Sequence, residues 1–299
     1  MRMRNYTAIA FALIGLFVAI WPEGVRAQQA TATQAKHCLW KIEGKTNAVY
    51  LFGSIHFLKK EFYPLPKPVE DAYKQSEVVV FEADLDDAQS PQGMLKMLAQ
   101  STYNDGTTLQ DHVSKETYDK VQSYVGESVG PALDLMRPWM VAMSILAMEL
   151  QKLGFDPEQG VDRYFFNKAK EDKKEIIGLE TLDFQLGLFT GLTKEEEDAM
   201  LKETLQEISS FKKELTQMTT AWKNGDTKTL DKLMLEAMRD YPQIHKKLLL
   251  DRNKVWVDKL EKLRAGGKTL FVVVGGGHLV GKDSVVDLLT KKGLKVQQL

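Results

Sequence analysis

Phe271-Val272-Val273-Val274 runs straight into Gly275-Gly276-Gly277-His278. This junction limits the fold more than any other feature of the chain. Four successive apolar residues, three of them β-branched, do not alternate between a wet face and a dry one. They read as a strand covered on both sides. Such a strand needs helices packed above and below it, which means an α/β architecture. Glu77 to Glu82 (Glu-Val-Val-Val-Phe-Glu) has the same texture. Beyond His278, Gly281 to Lys292 reads as a helix closed by Gly293, and Leu294 to Gln297 as a last strand. That β-α-β order predicts a parallel pair with a right-handed crossover.

The junction has a counterpart near the other end of the domain. Val49-Tyr50-Leu51-Phe52 leads into Gly53-Ser54-Ile55-His56. Two further strand-like runs also end on an ionisable residue. Val78 to Phe81 leads to Glu82, and Ile176 to Leu179 leads to Glu180. Ligands of α/β sheets bind beyond the carboxyl ends of the strands. If the four strands share one sheet and one direction, two imidazoles and two carboxylates meet there. Such a set can hold a divalent metal or supply acid and base groups. A glycine just past a strand can take positive φ and turn the chain sharply. It also lets backbone N–H groups approach a ligand or an oxyanion. His37, His112 and His245 lie in no such context. Gly276 to Asp283 nearly spells a phosphate-binding loop, but Asp283 replaces the hydroxyl residue and would repel phosphate.

The remaining sequence organises around these ends. Arg2 and Arg4, an apolar run from Ala8 to Trp21, and Val25-Arg26-Ala27 make residues 1–27 a secretory signal. The run is shorter than the roughly 20 residues an anchor helix needs. No lipobox precedes Cys38. Residues 28–37 read as a disordered lead, and residues 38–299 as one α/β domain. Leu39–Glu43 and Ala48–Gly53 read as a hairpin around Gly44-Lys45-Thr46-Asn47. Residues 92–264 are largely helical by periodicity. Asp156-Pro157-Glu158-Gln159 reads as a helix start. Thr193-Lys194-Glu195-Glu196 opens a helix reaching Trp222, which Asn224-Gly225-Asp226 ends. A net charge of −1 gives a nucleic-acid partner no electrostatic support. One cysteine cannot form an internal disulfide, so the fold must rest on its core.

Taken together, these residues resemble the TraB/GumN family, which includes the Tiki proteins. The resemblance runs from Cys38-Leu39-Trp40 to the C-terminus. Its strongest parts are Tyr50 to His56, Phe81-Glu82, Gly178-Leu179-Glu180-Thr181, Arg252-Asn253-x-x-Trp256, and Val273 to Gly281. Arg137-Pro138-Trp139 and Gly160-Val161-Asp162 look like the bacterial GumN-like branch. Gly276 stands where an alanine is more usual.

The resemblance implies a mixed central β-sheet with flanking helices and a large helical insertion. That fold is shared with erythromycin esterases, haem-binding ChaN-like proteins and Tiki proteins. It also implies a metal-dependent, peptidase-like hydrolase, using Mn²⁺ or Co²⁺, with Zn²⁺ possible. Carried over, His56, His278, Glu82 and Glu180 would be metal ligands, with one glutamate serving as the base. Arg252 would stabilise negative charge, and Ser54 would hydrogen-bond nearby. The expected setting is periplasmic or secreted, with a peptide or protein substrate, no nucleic acid and no membrane span. Two alternatives use the same cleft: sequestering a peptide or haem without turnover, and hydrolysis of a small ester.

Overall fold

A computed structural model describes residues 36–299, apart from 45, 236–237 and 239–241. The leader at residues 1–27 and most of the polar lead lie outside the described residues. Six strands form one sheet: β1 (Leu39–Glu43), β2 (Ala48–Ser54), β3 (Val78–Ala83), β4 (Glu175–Glu180), β5 (Leu270–Gly275) and β6 (Val296–Gln298). Their order is β4-β3-β5-β2-β1-β6. β2, β5, β3 and β4 are mutually parallel, as the shared strand ends require. β5 and β3 are buried along almost their whole length, which explains their continuous apolar runs. β1 and β2 form the antiparallel hairpin, and β6 pairs antiparallel with β1. The sheet is therefore mixed.

The C-terminal β-α-β unit differs from expectation. β5 and β6 do run in the same direction, but β2 and β1 lie between them. Both edges of β5 are already bonded, to β2 and β3. The short last strand pairs instead with the outer edge of β1, one of the two edges left open.

The helices that build the site are α1 (Lys67–Gln75), α2 (Pro138–Lys152), α3 (Val161–Glu171), α4 (Leu182–Thr190), α5 (Lys194–Lys223), α6 (Thr227–Leu235), α7 (Asp251–Ala265) and α8 (Val285–Lys291). The Thr193 capping box opens α5 as read. Asp156 instead caps a short 3₁₀ turn, Pro157–Gln159. The α-helix begins one residue beyond Gly160, whose extended ψ of 143° interrupts the turn. α3 lies on the sheet through Phe165, whose ring meets Phe271 edge-on at 4.8 Å and Phe52 at 5.9 Å. Phe166 meets Phe81 at 5.4 Å. One helix thus packs on all three strands that carry His56, Glu82 and His278. Among the described residues no helix is long and apolar enough to cross a membrane.

Candidate active site

The parallel strands deliver His56, Glu82, Glu180 and His278 to one end of the sheet. His56, Glu82 and His278 border a cleft of about 820 Å³, part of it open to solvent, while Glu180 stands behind Arg252 and is not in its lining. The two glycine motifs sit side by side, with Ser54 in register with Gly275. Neither Gly53 nor Gly275 to Gly277 uses the positive-φ freedom open to glycine. Their glycines serve close approach instead. A Cβ on Gly53 would lie 3.2 Å from Gly276 Cα. A Cβ on Gly275 would lie 3.1 Å from Glu82 Oε1 and 3.7 Å from both His56 Nε2 and His278 Cδ2. The missing side chain of Gly275 is the notch where these groups converge.

Arg252, on α7, organises the buried charge. Nε donates to Glu180 (2.9 Å to Oε1). Nη2 donates to Glu82 Oε2 at 2.7 Å and Glu180 Oε2 at 2.8 Å. Nη1 donates to the Leu248 carbonyl at 3.0 Å and meets His278 Nε2 at 3.2 Å. A guanidinium has five N–H groups, and each has a partner here. Arg252 is therefore a clamp on the two glutamates rather than a free donor for a developing oxyanion. Glu180 is held further by the Trp256 indole, 2.8 Å away. Glu82 keeps Oε1 turned to the notch, where it accepts from the Gly275 N–H at 2.7 Å. Burial would raise the Glu82 pKa, but Arg252 and the other positive neighbours hold it down at about 2.

The two motif histidines differ in kind. Arg252 can only donate, so Nε2 of His278 is an acceptor and Nδ1 carries the proton. That proton goes to Asn253 Oδ1 at 2.6 Å, and Trp256 lies over the ring at 4.2 Å. Burial, with Arg252 alongside, pushes the His278 pKa down to about 3. It is a neutral, enclosed imidazole. His56 is partly buried, and desolvation lowers its pKa, but an ion pair to Asp162 Oδ2 at 2.7 Å and the Glu82 charge outweigh this. Its pKa rises to about 9, so the ring is an imidazolium at neutral pH.

The facing wall is apolar. Leu188 and Phe189 come from α4, Met218 from α5, Met234 and Leu235 from α6, and Met238, Leu248 and Leu249 from the following segment. The helical middle thus walls the cleft. Ser54 is 2% exposed, lines the cleft, and its Oγ has no hydrogen-bond partner among the described residues.

Residues 38–298 match the TraB/PrgY/gumN family. The chain belongs to this family. YbaP of Escherichia coli (strain K12) is 27% identical over 242 residues, 80% of this chain and 87% of its own length. A protein of Treponema pallidum (strain Nichols) is 20% identical over 85% of this chain and 80% of its own. Metalloprotease TIKI2 of Danio rerio is 20% identical over 83% of this chain, but that spans only 58% of TIKI2. No solved structure matches the chain.

The name of TIKI2 raises a metal, and the donors can be tested for one. Among the described residues no three His, Cys, Asp or Glu side chains are arranged to hold one ion. Arg252 is the reason, because it occupies Glu180, His278 Nε2 and one oxygen of Glu82. His56 Nε2 and Glu82 Oε1 are the donors near the notch. The four-ligand set does not fit this arrangement. Sequence reasoning assigns no role to Asp162, Gln185, Asn253 or Trp256. Three of these sit inside motifs quoted for the family resemblance; Gln185 carries no signal, lying 3.5 Å from both Glu82 and Glu180.

Proposed function

We propose that the cleft hydrolyses an amide bond in a peptide whose apolar side chains lie on the wall of leucine and methionine. One observation carries this reading: the imidazolium of His56 and the carboxylate of Glu82 lie around one notch. Two neighbouring groups with pKa values pushed far apart are the arrangement for paired acid and base chemistry. Glu82 Oε1 orients a water and takes its proton as the water attacks the scissile carbonyl. His56 Nε2–H protonates the departing amine. Arg252 and Glu180 keep Glu82 aimed, and the Ser54 hydroxyl is available to the substrate backbone. Methionine side chains adapt to varied shapes, which suits a peptide wall. The metalloprotease name of the Tiki relatives supports the bond type and a metal ion; Mn²⁺ or Co²⁺ is what the family resemblance implies. Since the four donors as arranged do not hold one, these steps use the chain's own residues. The expected setting is outside the cytoplasm, following the leader.

The test is a peptide library, with amide and ester analogues, offered to protein stripped of metal and resupplied with Mn²⁺, Co²⁺ or Zn²⁺. Under whichever condition wild type is active, Glu82→Gln is expected to lose on the order of 100-fold or more in kcat, as positioned acid–base groups contribute. Peptide bound and recovered intact under every condition would replace hydrolysis with sequestration.

A further inference from the structure

We infer that Gly160-Val161-Asp162 is a positioning element for His56, with Asp162 the positioning residue that sets the ring's orientation. Residues 55–58, just past β2, are laced to residues 156–161. Leu58 and Asp156 exchange backbone hydrogen bonds at 3.3 and 3.0 Å, and the Val161 N–H donates to the Ile55 carbonyl at 3.0 Å. Gly160 lies within this lacing with φ of −59°, a value any residue can adopt. Its need for glycine is steric. A Cβ there would stand 2.2 Å from the His56 carbonyl oxygen, far inside contact distance.

That close approach places Asp162, in the first turn of α3, against the imidazole. Its Oδ2 lies 2.7 Å from Nδ1, and the residue is 8% exposed. α3 is itself seated by Phe165 on Phe52 and Phe271, from the strands of both motifs. The carboxylate is thus fixed relative to the sheet rather than carried on a free loop. With Nδ1 turned to Asp162, Nε2 faces the notch at Gly275. A ring lacking that partner could flip about χ2 and present carbon to the cleft. Groups behind a working imidazole fix its orientation in this way.

The test uses the purified chain and has two arms, of which only the kinetic arm rests on the hydrolytic reading. In proton NMR, the low-field Nδ1–H signal of His56 is assigned by its loss in His56→Gln. It is expected to vanish in Asp162→Ala and move upfield in Asp162→Asn, which keeps size and removes charge. For any peptide turned over, Asp162→Ala is expected to lower kcat on the order of 100-fold with KM unchanged. Gly160→Ala should lower kcat in the same way. In a His56→Gln background Asp162→Ala should cost nothing further, because groups acting as a unit are non-additive. A His56 N–H signal that survives Asp162→Ala would overturn the inference, as would additive kinetic losses. If Asp162→Ala does not fold, Asp162→Asn carries both arms. Should the NMR arm hold while no peptide is cleaved, the hydrolytic reading fails and the positioning role stands.

Discussion

His56 and His278 occupy the same place in two matching motifs, yet their neighbours make them opposites. Asp162 keeps a proton on one ring, while Arg252 and Asn253 fix the other as a neutral tautomer. Stability against pH should show both. Between pH 6.5 and about 9 the folded His56 holds a proton that the unfolded chain does not, so stability falls as pH rises through that window. Between about 3 and 6.5 the unfolded chain binds a proton that folded His278 refuses, so stability falls as pH drops. Glu82 adds to the acid loss between 4.5 and about 2. A melting-temperature profile should therefore peak near pH 6.5, and a flat profile from pH 4 to 9 would refute the assignment. Removing Arg252 leaves two buried carboxylates unpaired. Arg252→Met should cost about 3–5 kcal/mol in urea unfolding, as broken buried pairs do. Arg252→Lys should recover little of it, since an ammonium cannot make five directed bonds. A loss under about 1 kcal/mol would mean that the clamp is not structural.

At the scale of elements, the glycine junctions after β2 and β5 do the shaping. Gly275 has φ of −50°, so alanine fits its backbone, but the added Cβ would fill the notch 3.1 Å from Glu82 Oε1. Gly275→Ala is expected to fold normally, by circular dichroism and melting, and to lose turnover. Normal turnover would place the reacting atoms elsewhere. β2, β3 and β5 were legible because burial on both faces writes itself as a continuous apolar run, whereas β4 is an edge strand and half-exposed. Their common direction was only a condition in the sequence; the parallel pairing of β2, β5, β3 and β4 meets it and brings His56, Glu82, Glu180 and His278 to one end. The partner of β6 was not legible, because local order does not say which sheet edge is free. Nor was the pairing of His56 with Asp162, 106 residues apart, since a long-range ion pair leaves no periodic trace. Arg252, Asn253 and Trp256 were visible as a motif. Their spacing on one turn of α7 could not show that the arginine is saturated by its neighbours.

The whole molecule divides labour between a rigid polar platform and an apolar wall. The platform is the end of four parallel strands, tied by α3 and α7. The wall comes from α4, α5, α6 and the segment leading to α7, and Phe189 within it is stacked at 5.1 Å on Trp139 of α2. Phe189→Ala should destabilise by about 3–5 kcal/mol, read by urea unfolding, and should weaken peptides with large apolar side chains most in KM. Equal KM changes for glycine-rich peptides would remove the wall from substrate selection. What unites platform and wall is one charged imidazole beside one neutral imidazole, both lining the cleft. An NMR pH titration of the two rings, assigned with His56→Gln and His278→Asn, tests this most directly. The expected result is one ring titrating near pH 9 and the other still neutral at pH 4. Both rings titrating together near the ordinary value of 6.5 would contradict it.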